Sequence, residues 1–295
     1  MTAVLSVLRA GPLVTIQDEG RFGMLRHGVS ASGPMDAGSF HQASLSGRGA
    51  IEFTTTGITF CVTNGNCTMA FAGGAFNIAI DGQSRDWPGR AQLQSGSVTS
   101  VTPGSSGNYG YLRFDKDIAA ELVMGSMATS SRVHLGGIAG RPLRAGDVIE
   151  LDNLGTASLS KARKPSADGP FRFIWGVHVD MFAAATRQSF LSSSFTISSR
   201  MDRMGVRLND SEKVFAAATN LFLVSEAIVP GDLQIMGDGT PIVLMRDHQP
   251  TGGYPRIATI ISADLDRFAQ TRPGTSIAFT PVTVERAQQL LRSLL

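Results

Sequence analysis

The chain has 295 residues, of which 42% are apolar and 17% charged, with a formal net charge of +2. That length suits two ordinary domains, and so small a charge, with no run of Lys and Arg, argues against nucleic-acid binding. The charged share falls below the usual quarter, so other protein chains are expected to cover part of the surface.

The first residues, Met-Thr-Ala-Val-Leu-Ser-Val-Leu-Arg9, hold no basic n-region and no long apolar run. No signal peptide is expected there, no window nears the length of a membrane span, and the expected location is the cytoplasm. A strand then runs into Thr15-Ile-Gln-Asp-Glu-Gly-Arg-Phe-Gly23, where Gly20 and Gly23 allow a tight reversal around Arg21. Two readings stand side by side. Asp18 and Arg21 line a polar site in which Arg21 grips a carboxylate or phosphate in bidentate fashion, or the two pair with each other and brace the turn. Next, Gly28-Val-Ser-Ala-Ser-Gly-Pro-Met-Asp36 precedes a short helix expected over 36–45. Its small residues suit close approach of an anion to backbone N–H groups, or it is a plain loop with Asp36 as the helix cap.

The middle of the chain is a series of short apolar or alternating runs, at 58–62, 68–72, 76–80, 98–101 and 148–151, punctuated by many of the 33 glycines. This pattern predicts strands. Cys61 and Cys67, the only cysteines, flank the turn signal Asn64-Gly65-Asn66. A hairpin there brings them near each other, and reduced thiols in paired strands are expected ahead of a disulfide. Two cysteines without clustered histidines make no zinc site. Ala72-Gly-Gly-Ala75 is a lone glycine pair, and Ser126, Thr129, Ser130 and Ser131 show no adjacent base to activate a hydroxyl. Residues 158–169, rich in Ser, Ala, Lys, Arg and Pro, read as a linker. They divide a β lobe at 1–160 from a second at 170–295.

In the second lobe, strands are expected at 221–224 and 242–245. The latter leads into Met245-Arg-Asp-His-Gln-Pro-Thr-Gly-Gly-Tyr-Pro255. Asp247, His248, Gln249, Thr251 and Tyr254 there set varied donors and acceptors around Gly252 and Gly253, more than a structural hairpin needs. His248 is the only histidine beside a carboxylate in a glycine-rich loop. It is a candidate general base or, equally, a surface residue. Helices follow at 262–270, capped by Ser262, and after Thr283, with Val284, Ala287, Leu291 and Leu294 as an apolar stripe. A glycine leading into an alternating strand recurs at Gly96, Gly146 and Gly274, an echo that fits two similar lobes. The expected fold class is mainly β, of barrel or sandwich kind, with a few short helices. His27, His41, His134 and His178 make no metal triad. Walker A, G-x-S-x-G and G-x-G-x-x-G signatures are missing, and there is no A-M-K-M-type segment for biotin attachment.

The segments 15–23, Ser32-Gly-Pro-Met-Asp36, Ile51-Glu52, Gly140-Arg-Pro-Leu143 with Gly146-Asp147, Arg203-Met-Gly-Val-Arg-Leu208 and 247–255, in that order, resemble one family. It is the family of biotin-dependent carboxyltransferases and of the C component of 5-oxoprolinase. It also takes in the kinase-inhibitor antagonist of spore formers and the second half of the urea carboxylase carboxyltransferase domain, long labelled allophanate hydrolase subunit 2. The likeness runs from about residue 10 to 285. It implies two cyclophilin-like β-barrel lobes. It implies a homologous partner (the B component, like allophanate hydrolase subunit 1), joined by the A component in the 5-oxoprolinase case, and an active site near the interface with that partner. It further implies ATP as cofactor, used with the partner subunits, and a small amide substrate. In 5-oxoprolinase the reaction is ring opening of 5-oxo-L-proline to L-glutamate. In urea carboxylase the related domain passes a carboxyl group from carboxybiotin to urea. Both activate an unreactive amide or urea, so donors to a developing oxyanion matter.

With the resemblance added, the expected catalytic residues are Asp18, Arg21, Asp247 and His248. The expected substrate-binding residues are Met35, Asp36, Gln249, Thr251, Gly252, Gly253 and Tyr254; no metal is expected. The first functional expectation is one subunit of an ATP-dependent lactam or amide hydrolase. The alternatives are a carboxyltransferase component, which needs a biotin carrier in trans, and a non-catalytic binding protein like the kinase-inhibitor antagonist. Four departures mark a divergent member. Phe114-Asp-Lys116 stands where similar sequences have Ala-Gly-Gly, Gly125-Ser-Met-Ala-Thr129 where they have Gly-Ser-Arg-Ser-Thr, Gly176-Val177 where they have Gly-Pro, and Pro250 where they have Thr.

Overall fold

The computed structural model describes residues 2–153, 167–218 and 223–294. The expected linker lies outside the described residues except for 167–169, as do the first two positions of the strand expected at 221–224. Leu223 and Val224 are not in a strand. Backbone contacts divide the chain into two units, Met1–Gly23 with Ala31–Arg163, and Met24–Ser30 with Lys164–Leu295.

The first unit is a ten-stranded sheet among the described residues. Its strand Ala3–Ala10 buries Ala3, Leu5 and Val7 on one face, as alternation requires. It pairs antiparallel with Ile58–Asn64 and Val148–Asp152. Two long strands, Asn66–Ile80 and Val98–Phe114, run antiparallel through the unit. The runs expected at 68–72 and 76–80 are therefore one strand. Gly73 and Gly74 let it approach the second backbone closely where the register shifts: a Cβ on Gly73 would lie 2.4 Å from the Tyr109 carbonyl oxygen. The turn at Gly65 (φ 72°) does not make the expected hairpin. Ile58–Asn64 pairs with Ala3–Ala10 and Val98–Phe114, so Cys61 faces Val98 while Cys67 faces Leu93. Both are free thiols, and burial pushes the Cys67 thiol up to about 11, which leaves little thiolate at neutral pH.

The second unit holds an eight-stranded sheet and a separate two-stranded one, Glu226–Ala227 with Thr251–Gly252, among the described residues. The edge strands of the larger sheet, Ser276–Ile277 and Phe279–Pro281, are consecutive in the chain, so the sheet curls into a nearly closed barrel. Aromatic rings fill it: Phe190 stacks on Phe279 at 5.2 Å, and Phe195 on Phe215 at 6.1 Å. The echoing glycines share a conformation rather than a lobe. Gly96, Gly146 and Gly274 take φ of 93°, 91° and 86° in turns just ahead of strands, a region that favours glycine.

Two of the three expected helices are shorter than their patterns, and the C-terminal one matches its own. Ala37–Gln42 is capped by Asp36, whose carboxylate accepts from the Ser39 N–H at 2.9 Å. The helix expected at 262–270 starts at Leu265, and Ser262 does not cap it. Asp264 stands at the cap position, but its carboxylate is taken by the backbone and guanidinium of Arg172. Thr283 does cap Val284–Leu294, its hydroxyl accepting from Arg286 N–H at 3.2 Å. That helix's apolar stripe is not buried. No helix among the described residues is long and apolar enough to cross a membrane.

Candidate functional site

In the first unit, Asp18 and Arg21 both turn to one distant segment. The Asp18 carboxylate accepts from Gly20 N–H at 2.9 Å, Met127 N–H at 2.8 Å and the Ser126 hydroxyl. Arg21, 2% exposed, donates to the carbonyls of Val123, Ser126 and Ala128. Arg21 is thus engaged by backbone carbonyls, and the turn is tied to 123–128, a bracing that neither sequence expectation described. Met127, one of the departures from the resembled family's pattern, is buried in the apolar core of this unit.

Met35 and Asp36 sit in an equally occupied loop. Buried Glu52 accepts from Met35 N–H and from the Tyr111 hydroxyl, both at 2.9 Å, and Asp36 N–H donates to the same hydroxyl at 2.8 Å. Burial, with Glu52 and Asp36 close by, holds the Tyr111 hydroxyl well above its usual range. Gly33 N–H donates to Gln17, whose amide reaches the Thr129 carbonyl at 3.1 Å. The Ser32–Asp36 loop is thus stitched to the same 126–129 segment that Asp18 holds.

In the second unit, Asp247 and Arg203 form a buried two-bond ion pair at 2.8 and 3.1 Å. His248 is 2% exposed, with Nδ1 2.6 Å from the Gln249 carbonyl. Nδ1 therefore carries the proton in the neutral ring. Desolvation lowers the His248 pKa, opposed by the Gln249 hydrogen bond. A histidine lowered in the folded state contributes stability that is fully present above about pH 6.5 and is lost as the pH falls toward the lowered value. His248→Gln is therefore expected to narrow its stability gap to the parent chain as pH drops from 7.5 to 5, read by urea midpoints at each pH. A gap that stays constant refutes this. Thr251 and Gly252 pair in register with Ala227 and Glu226, and the Gly253 carbonyl accepts from Leu223 N–H at 3.0 Å.

Gln249 and Tyr254 line a cavity of about 480 Å³ that lies wholly in this unit; Asp247, His248, Thr251, Gly252 and Gly253 are not among its lining residues. Its floor comes from strand register. Val206, Val243 and Leu233 are cross-strand partners and are buried, so their neighbours Arg207, Ile242 and Gln234, also partners, share the opposite face. All three line the cavity, along with Arg200. Gly252 lies beside them: a Cβ there would lie 2.6 Å from Gln234 Nε2 and would push that side chain. Sequence reasoning missed Arg200, Arg207 and Gln234 as cavity residues; the only signal was the segment containing Arg207. Among the described residues no group of three His, Cys, Asp or Glu side chains is placed to hold a metal ion.

The family whose model matches this chain is described as the carboxyltransferase domain, subdomain A and B, and the match covers residues 27–281. The chain is 32% identical to the C component of 5-oxoprolinase from Haemophilus influenzae, over 98% of this chain and 94% of that protein. It is 28% identical to the urea amidolyase of Saccharomyces cerevisiae over 98% of this chain but only 17% of that much longer protein. Among solved structures, TTHA0988 matches with a TM-score of 0.80 at 30% identity; the likeness covers 94% of this chain and 55% of that one, so this chain spans about half of it.

Proposed function

The chain belongs to the carboxyltransferase family of subdomains A and B, and on that footing we propose that it is one subunit of an ATP-dependent enzyme that opens 5-oxo-L-proline to L-glutamate. The observation that carries this reading is the end-to-end likeness to the C component of a 5-oxoprolinase, which leaves almost none of either chain unmatched. The cavity supports it. Hydrolysis of a lactam adds a water oxygen to the carbonyl carbon, breaks the C–N bond and leaves the nitrogen as an amine. Negative charge gathers on the carbonyl oxygen on the way, and donors aimed at it lower the barrier. We assign the substrate-facing role to Gln249 and Tyr254. Thr251, Gly252 and Gly253 shape the loop, and Asp247 and His248 position it. Asp18, Arg21, Met35 and Asp36 organise the 123–129 segment of the first unit.

ATP supplies the driving force for opening an unreactive ring, and we assign its binding to partner subunits in the cytoplasm, namely a homologous B component with an A component. The glycine pair of this chain does not fit a nucleotide cradle, because Gly73 and Gly74 lie against the backbone of Gly107–Tyr109 too closely to admit even a Cβ. The test is to purify the chain with these partners and measure ATP hydrolysis with and without 5-oxo-L-proline. Lactam-stimulated hydrolysis that needs every component is expected; a stable complex without stimulation refutes the reading. A second reading, transfer of a carboxyl group from a carboxybiotin carrier in trans to urea, is favoured by the family's description and by the likeness to urea amidolyase. It predicts urea-dependent consumption of carboxybiotin instead.

A further inference from the structure

We propose that the cavity on the outer face of the second unit's barrel recognises a small carboxylate that also carries a carbonyl, with Arg200 and Arg207 holding the carboxylate and Gln234 donating to the carbonyl. The proposal deepens the reading above and rests on it for the choice of probe.

Three observations carry it. First, Gln234 is 2% exposed, yet its Nε2 is buried with no hydrogen-bond partner. An amide donor left so is costly unless something accepts from it, and it lines the cavity. Second, neither arginine of the lining forms a close ion pair among the described residues, whereas Arg203, Arg246 and Arg256 on neighbouring segments do; Arg207 reaches Asp238 only through a weaker, longer-range attraction. The one acidic residue of the lining, Asp202, is already engaged by the N–H groups of Met204 and Gly205, at 2.7 and 3.2 Å. The cavity thus has a surplus of positive charge in a form suited to bidentate carboxylate binding. Third, Met201, Met204 and Met236 with Ile242 and Leu244 give it an adaptable apolar wall for the ligand's carbon body.

Register fixes the arrangement. Arg207, Ile242 and Gln234 occupy one cross-strand row, so the backbones bearing cation and amide stand two strand spacings apart, roughly 10 Å. The long arginine side chain shortens that span. A larger cavity, about 740 Å³, shares Arg200 and Arg207 and adds Lys213 against Asp210 and Asp238, so it carries the same surplus of one positive charge, but Gln234 is not in its lining. The unpartnered amide of Gln234 therefore singles out the smaller cavity. A neutral urea or amide engages Gln234 and leaves the arginines without a partner, so the site selects for an acidic ligand.

The test is calorimetric titration of the full chain with 5-oxo-L-proline, with 2-pyrrolidinone (the same lactam ring without the carboxylate) and with inorganic phosphate. Saturable binding of 5-oxo-L-proline is expected, with 2-pyrrolidinone and phosphate at least about tenfold weaker. Arg207→Gln and Arg200→Gln should each weaken 5-oxo-L-proline about tenfold and leave 2-pyrrolidinone unchanged, while Gln234→Leu weakens both lactams. Arg200 is exposed, so its variant keeps the fold, as a thermal melt will show. Equal affinity for charged and uncharged lactam, indifference to both arginine variants, or no saturable binding by the folded chain overturns the proposal. Binding as described with no stimulated ATP hydrolysis in the assembled enzyme leaves this site standing and fells only the 5-oxoprolinase reading. Stimulated turnover that ignores both arginine variants does the reverse.

Discussion

Asp247→Ala is expected to cost the second unit about 3–5 kcal/mol, because removing one member of a buried ion pair strands the other charge away from water. Geometry supports that figure. The side chains of Arg203 and Asp247 are 4% and 5% exposed, two hydrogen bonds join them, and Asp247 N–H donates to the Arg203 carbonyl at 2.7 Å. The double change Arg203→Met with Asp247→Leu should recover most of the loss, since it removes both charges together. Urea unfolding followed by far-ultraviolet circular dichroism decides it. A loss below about 1 kcal/mol for Asp247→Ala contradicts the brace and returns Asp247 to the role of a free catalytic carboxylate.

The second large effect concerns Arg21. Arg21→Ala deletes one of the bulkiest fully buried side chains and three donated contacts to the 123–128 segment. Hydrogen bonds from a charged group contribute about 1.5–3 kcal/mol each at best, and the vacated volume adds to the loss. A net destabilisation of about 3–5 kcal/mol is expected. Arg21→Lys should restore little, because an ammonium cannot reproduce a planar fork spread over several carbonyls. Hydrogen exchange at Met127 and Thr129 amides gives the local readout: both should speed up in Arg21→Ala. Unchanged exchange and stability, with turnover alone lost, point instead to substrate binding by Arg21.

These contrasts explain what the sequence made legible. Alternation and glycine turns announce a mainly β chain because they depend on neighbours along one strand. Thr283 and Asp36 announce helix starts for the same local reason. The loop after Leu244 stood out by its polar variety, and two of its residues, Gln249 and Tyr254, do line a cavity. Arg200, Arg207 and Gln234 did not stand out. They meet only through the register of separate strands, which no spacing in the chain encodes. Asp18 likewise looked like a site residue because its partners, Ser126 and Met127, lie more than a hundred residues away. A carboxylate that satisfies three donors and a carboxylate poised for chemistry read alike until the donors are seen. The glycine pair at 73–74 was plain in the sequence, but its purpose, the close approach of two paired long strands at a register shift, needed Gly107–Tyr109 in view.

The barrel of the second unit closes through its two shortest edges, Ser276–Ile277 against Phe195–Met201 and Phe279–Pro281 against Phe171–Trp175. Those five residues guard against self-association. Stripping them away would bare two longer strands at once, each with a row of unsatisfied N–H and C=O groups ready to pair with another copy. A nick or frameshift upstream of Ser276 would therefore turn a barrel into a template for sheet-to-sheet aggregation, and what prevents it is one short extended segment around Ala278 that pairs with Phe195–Met201 on one side and Phe171–Trp175 on the other.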